Sequence, residues 1–200
     1  MYKSLLLFFT LALSIKVEAN NYQDCGISKK AQQLAKLIIN DDEQLRPSIR
    51  CNKLLSEIAL VKAKKMLEFG LVTHNLDGSP NALLREHNYK LPDYYGTDFN
   101  SNQVEAVAGG YSSAEEVWSS FKDSEAHRVH LLGEHKFYAE QDELGVALIE
   151  EWSSPHVEYW VVYLTKGYAK NQVYRNDQSE IPNKANFILQ KNNSINSVEQ

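Results

Sequence analysis

The sequence predicts an α+β fold, a three-layer α-β-α sandwich around a central, mainly antiparallel sheet. Three observations carry this expectation. Apolar residues recur at helical spacing through the first part of the chain, two strand-like segments follow, and the second of these is apolar on both faces. A strand covered on both sides needs a layer of helix above and below it.

Ser28 is placed to cap a helix whose stripe is Ala31, Leu34, Ala35 and Ile38, and the stretch from Asp41 to Pro47 ends it. Asn52 then caps a longer helix with Leu55, Ala59, Lys62, Ala63 and Met66 on one side and Gly70 as its terminating residue. The small alanines on that stripe imply close packing against a neighbour. Val72 to Pro80 is polar and turn-rich, hence a loop; a short helix spans 81–87, and an irregular segment rich in Tyr, Asp and Asn runs to Asn102. Val104 to Ala108 is a short apolar segment holding one carboxylate, Glu105, and Gly109-Gly110 ends it. Ser113 and Glu116 fit a capping box that opens a helix with Val117, Trp118 and Phe121. Ser124 is expected to cap the next, which carries Ala126, Val129, Leu131 and Leu132 and closes at Gly133. The period then changes: Leu144 to Ile149 and Val157 to Leu164 read as a hairpin turning through Trp152-Ser153-Ser154-Pro155. In the second strand Tyr159, Val161 and Tyr163 face one way and Trp160, Val162 and Leu164 the other.

Composition narrows the function classes. The 200 residues carry a formal net charge of −5 with a pI near 5.7, and no Lys/Arg stripe interleaves with aromatics, so nucleic acid is not expected as a partner. Lys3, the apolar run Leu5 to Leu13 and the exit Val17-Glu18-Ala19 read as a secretory signal over residues 1–19. That run is too short to span a bilayer, so no membrane span is expected once it is cleaved. An exported chain with two cysteines, Cys25 and Cys51, is expected to join them, the alternative being two unpaired buried thiols. The expected organisation is a helical extension over 20–51, a domain over 52–167 and a polar, mobile tail over 168–200, in which only Phe187-Ile188-Leu189 is apolar enough to dock.

No G-x-S-x-G elbow, H-E-x-x-H, phosphate-cradling Gly loop or Cys-x-x-Cys occurs. The polar residues left to carry chemistry are His74 in the loop after the long helix, Glu105 on a strand, and the run Ser124-Glu125-Ala126-His127-Arg128 on a helix. Five segments in order resemble the CAP superfamily (cysteine-rich secretory proteins, antigen 5 and pathogenesis-related proteins) in its short bacterial SCP-domain form. "LSEIALVKAKKMLEFGLVTHN" is similar to that family's first helix and the His that follows it, and "NQVEAVAGG" stands where the family has its Gly-Glu-Asn box. "EEVWSSFKDSEAHRVHLL" is similar to the bacterial helix with Ser-x-x-His-Arg, "ELGVAL" to the Gly-Val strand, and "YWVVYLT" to the aromatic final strand.

The resemblance implies a shallow cleft lined by His74, Glu105 and His127, able to hold a divalent cation such as Zn²⁺ or a small apolar ligand. Two imidazoles and one carboxylate suit Zn²⁺ with a vacant fourth position. The sequence departs from the family at Val104 and Ala106, which replace the Gly and Asn flanking the Glu, and at Ser124, where longer members have a second Glu. The Gly-His-Tyr-Thr-Gln signature is absent. The function this implies is a secreted or periplasmic binding or interaction protein whose partner is a small molecule, a lipid or a protein. A metal-dependent hydrolase using the same cleft is the alternative, with no catalytic residue assigned, and an envelope protein with a vestigial cleft is a third. His130, three positions after His127 on one helical face, is expected at the surface or the edge of the core, with a further ligand as the alternative, and His87, His135 and His156 at the surface. Trp118, Phe121 and Trp160 are expected in the core. Tyr89, Tyr94, Tyr95 and Tyr111 are expected to pack under loops, with gripping an apolar ligand as the alternative.

Overall fold

The computed structural model describes residues 22–167, so the expected signal segment 1–19 and the expected tail 168–200, with Phe187-Ile188-Leu189, lie outside the described residues. A 3-10 turn, Tyr22–Cys25, leads to Ser28, whose hydroxyl accepts from the Ala31 N–H and opens helix α1, Lys29–Ile39. Ala31, Leu34, Ala35 and Ile38 are its buried residues, the stripe the periodicity predicts. After a two-residue strand β1, Arg50–Cys51, Asn52 caps α2, Lys53–Phe69, which stops at Gly70 in the left-handed region with φ 64°. A short α3, Pro80–Glu86, precedes strand β2, Glu105–Gly109. Helix α4, Ala114–Asp123, starts on a complete Ser113–Glu116 capping box and runs into α5, Glu125–Leu132. One further turn, α6, Lys136–Ala139, leads to the hairpin of β3, Glu143–Glu150, and β4, Glu158–Thr165.

The sheet order is β1-β3-β4-β2. β3 pairs with β4, and β4 with β2, both antiparallel, while β1 joins β3 parallel. β4 is therefore central, and its alternation divides the molecule as expected. Trp160, Val162 and Leu164 pack with α1, α4 and α5; Tyr159, Val161 and Tyr163 pack with α2, α3 and the segment holding Tyr89 and Tyr95. Helix α2 packs closely on the sheet: at Gly145 of β3 any Cβ would run into the backbone of Leu55 and Ser56. Cys25 and Cys51 form a disulfide that ties the N-terminal turn to β1.

Three details depart from the sequence reading. Strand β1 and helix α6 are too short to show a period, so neither was visible in the pattern. Ser124 occupies the position before α5 without a side-chain cap hydrogen bond, because α4 ends on that same residue. His130 is buried at 5% exposure, not at the surface or the core edge: its Nε2–H donates to the Leu164 carbonyl at 3.0 Å, and the satisfied donor permits the burial. Tyr89 and Tyr95 are buried, the phenol of Tyr89 donating to Glu143 at 2.7 Å.

Candidate functional site

Strand β2 starts in a buried polar knot. Glu105 faces the α2 side of the sheet with a fully buried side chain, and each carboxylate oxygen has its own donor. Tyr163, its neighbour across β4, donates to Oε2 at 2.7 Å, and His74 Nδ1 lies 2.8 Å from Oε1. Lys62 reaches the same group from the buried stripe of α2, its ammonium 3.9 Å from Oε1 and hydrogen-bonded to the His74 carbonyl. Burial holds the Lys62 pKa below its ordinary value, with the carboxylate of Glu105 pulling the other way. Burial first, and Glu105 second, push the Tyr163 phenol well above its ordinary value, so it remains a donor.

The tautomer of His74 follows from its partners. An ionised carboxylate has no hydrogen to give, so Nδ1 carries the proton and donates to Glu105, leaving the lone pair on Nε2. Asn102 Nδ2 sits 3.0 Å from the same nitrogen, which has no lone pair to offer while it donates to Glu105; the Asn102 amide donates to the Glu105 carbonyl at 3.1 Å. The Asn102 carbonyl oxygen accepts from the Glu105 N–H at 2.9 Å. One side chain thereby closes both outward main-chain groups of the first β2 residue.

Beyond this knot a cleft of about 310 Å³ runs along β2. Val107, Ala108 and Gly109 line it at the strand, with Val72 and His156 on the α2 side. Tyr111, Ser120, Phe121, Ser124 and His127, from α4, α5 and the loop before them, line it on the other. The His127 ring packs on Phe121 with centroids 4.9 Å apart. Burial, and next the neighbouring His74, lower the His127 pKa to about 4, so the ring is neutral near neutral pH. Gly109 keeps the cleft narrow at its end: a Cβ there would stand 2.6 Å from Val72 Cγ2 and 3.2 Å from the Glu158 carbonyl.

The three residues read from the sequence are thus placed unequally. His74 and Glu105 meet directly; His127 is near enough for His74 to lower its pKa but stands against Phe121 on the cleft wall. Among the described residues no three His, Cys, Asp or Glu side chains gather where they could hold a metal ion. A three-ligand centre does not fit this arrangement, because Glu105 is buried with both oxygens engaged; the unengaged donors are the Nε2 of His74 and the His127 ring. Lys62, Asn102, Tyr163 and His156 belong to the region and were missed as site residues. Only Lys62 carried a signal, a charged residue within an apolar stripe at helical spacing.

No family model matches the chain, and no curated protein does. Among solved structures, an outer surface protein of Borrelia burgdorferi is similar at 19% identity and TM-score 0.48 over 68% of this chain and 88% of that one. An extracellular protein from Bacillus anthracis containing an SCP domain is similar at 17% identity with a TM-score of 0.52 over 68% of this chain. This chain has a CAP/SCP-like fold. The match spans 39% of the length of the Bacillus protein. In the SCP-like fold as this chain builds it, the open edge of β2 and the N-terminal part of α5 frame the cleft.

Proposed function

We propose that the chain is an exported binding module that captures a partly apolar ligand in the cleft beside β2. The observation that carries this reading is the lining itself: Val72, Val107, Ala108, Tyr111 and Phe121 supply apolar surface, and His127, His156, Ser120 and Ser124 supply a few polar groups. Preformed sites for organic ligands have this composition, mostly apolar with a small number of orienting polar groups. The signal-like segment 1–19, the Cys25–Cys51 bridge and the extracellular Bacillus neighbour support placement outside the cytoplasm. Among the described residues no helix is long and apolar enough to cross a membrane.

The fluorescent probe 1-anilinonaphthalene-8-sulfonate tests it. Its emission is expected to rise saturably with the native chain and to lose that response in Ser124→Trp, which fills the cleft from a position without a cap hydrogen bond. Equal binding by a folded Ser124→Trp variant overturns the reading.

A second reading, a divalent cation held between His74 and His127, is favoured by one observation: Glu105 orients His74 so that Nε2 keeps its lone pair. Calorimetric titration with Zn²⁺ is expected to show about one equivalent at micromolar affinity. The same uptake by His74→Ala/His127→Ala removes this reading, and ester or peptide turnover lost on chelation and in Glu105→Gln would replace both readings with the hydrolase.

A further inference from the structure

Resting on the reading of the cleft as a ligand site, we propose that its ligand is an extended peptide segment added as a fifth strand along β2. The register of the sheet decides which main-chain groups are free. Leu164 N–H donates to the Val104 carbonyl and Gly110 N–H to the Glu158 carbonyl. The Val104 carbonyl, the main-chain groups of Ala106 and Ala108 and the Gly110 N–H therefore face β4, and the main-chain groups of Glu105, Val107 and Gly109 point to the open edge. Asn102 closes the Glu105 pair. Among the described residues, the outward N–H and C=O of Val107 and Gly109 make no hydrogen bond.

These four groups lie in the stretch of β2 that lines the cleft. Two donor–acceptor pairs about 6.8 Å apart along a strand match the repeat of one other object, a second extended backbone. Cross-strand neighbours point the same way, so the walls assign the side chains. Ala108 faces the helical layer, and the incoming residue beside it points toward Phe121 and His127. Residues beside Val107 and Gly109 point toward Val72 and His156. Apolar residues suit both walls, and Ser120 and Ser124 offer hydroxyls to a polar central one. A compact apolar molecule would fill the cleft while leaving four buried-edge main-chain groups without partners, a cost a peptide avoids.

The test uses capped pentapeptides Ac-Lys-Val-Z-Val-Lys-NH₂ with Z varied, titrated into the mature protein bearing uniform ¹⁵N. Binders with Kd below about 1 mM are expected to slow hydrogen exchange at the Val107 and Gly109 amides and to displace anilinonaphthalene sulfonate. N-methylation of the best binder is expected to alternate in effect. Methylating either Val weakens binding more than about tenfold and methylating Z less than about threefold for an antiparallel strand, and the reverse pattern marks a parallel one. Uniform effects along the peptide, or binding that leaves both amides exchanging freely, overturn the proposal. If the fluorophore binds in the cleft and no peptide does, strand addition falls while the cleft reading stands; if neither binds, both fall.

Discussion

The two edges of the sheet are built to opposite specifications. At the β1 edge the strand is two residues long, Cys51 is bridged to Cys25, and Gly26 makes an isolated parallel bridge to Val146 that extends the cover. Arg50 there pairs with Asp142 at 2.8 Å and Glu143 at 3.1 Å, which hold its pKa above the ordinary value against its partial burial. At the β2 edge the strand is five residues long, and Asn102 covers only its first residue. An uncovered edge is a template for pairing with another chain, and folds ordinarily blunt it. One edge is stapled covalently and the other is left unpaired beside the cleft, which on the proposed reading separates stability from recognition, and each half of that contrast can be broken by itself.

The largest effect is expected where the open edge is anchored. Glu105→Ala removes the acceptor of Tyr163 and His74 and strands the ammonium of Lys62 in a site 1% exposed. Breaking a buried ion pair from one side costs about 3–5 kcal/mol, and urea denaturation is expected to show a loss of that size. Adding Lys62→Met should recover part of it. If Glu105→Ala is as stable as the native chain, the knot is not what holds β2 in place. The closed edge comes next: Cys25→Ala/Cys51→Ala opens a loop with a sequence separation of 26 and should cost about 3 kcal/mol while leaving fluorophore binding unchanged. A loss of binding in a variant that is still folded would show that the two edges are coupled.

Acid should weaken the fold from the helical side of the cleft. Burial lowers the His130 pKa to about 3, with Arg46 and His127 adding to the shift and the bond to Leu164 opposing it; burial and His74 lower His127 to about 4. Both folded values lie below the ordinary one near 6.5, so the unfolded chain takes up protons first as pH falls. The stability these two rings contribute is whole above about pH 6.5 and drains away toward pH 4 and then pH 3. Denaturation at pH 6.5 and 4.5 is expected to differ by on the order of 4 kcal/mol for the two rings together, and His130→Gln should roughly halve the difference. A native-like slope in that variant would assign the acid sensitivity elsewhere.

How much of this was legible depended on range. Ser28, Asn52, Gly70 and the Ser113–Glu116 box announce helix ends because a cap and its partner lie within a few residues. The two faces of β4 were readable from alternation alone. Glu105, His74 and His127 stood out as polar residues in the right segments, but their unequal roles depend on Tyr163, Lys62 and Phe121, which reach them from elements distant in sequence. His156 looked like a surface residue because it follows a polar turn, and only the fold carries that turn back beside Gly109. Which β2 groups face outward was beyond reach, since it depends on a register that one position of slip would invert.

The smallest predicted effect bears most directly on that register. Asn102→Ala removes the side chain that stands in for a neighbouring strand at Glu105, and the two main-chain groups it satisfied become free like those of Val107 and Gly109. The expected loss is about 1 kcal/mol, since water replaces part of what is removed. Its signature is local: the Glu105 amide should exchange faster while the Ala106 and Ala108 amides, committed to β4, hold their protection. In the same variant the open edge grows by one donor–acceptor pair, so a longer peptide is expected to gain affinity over the pentapeptide, a gain not expected in the native chain. If all β2 amides instead accelerate together, Asn102 holds the whole strand against β4, and the edge it caps is a structural seam with no spare pairing capacity.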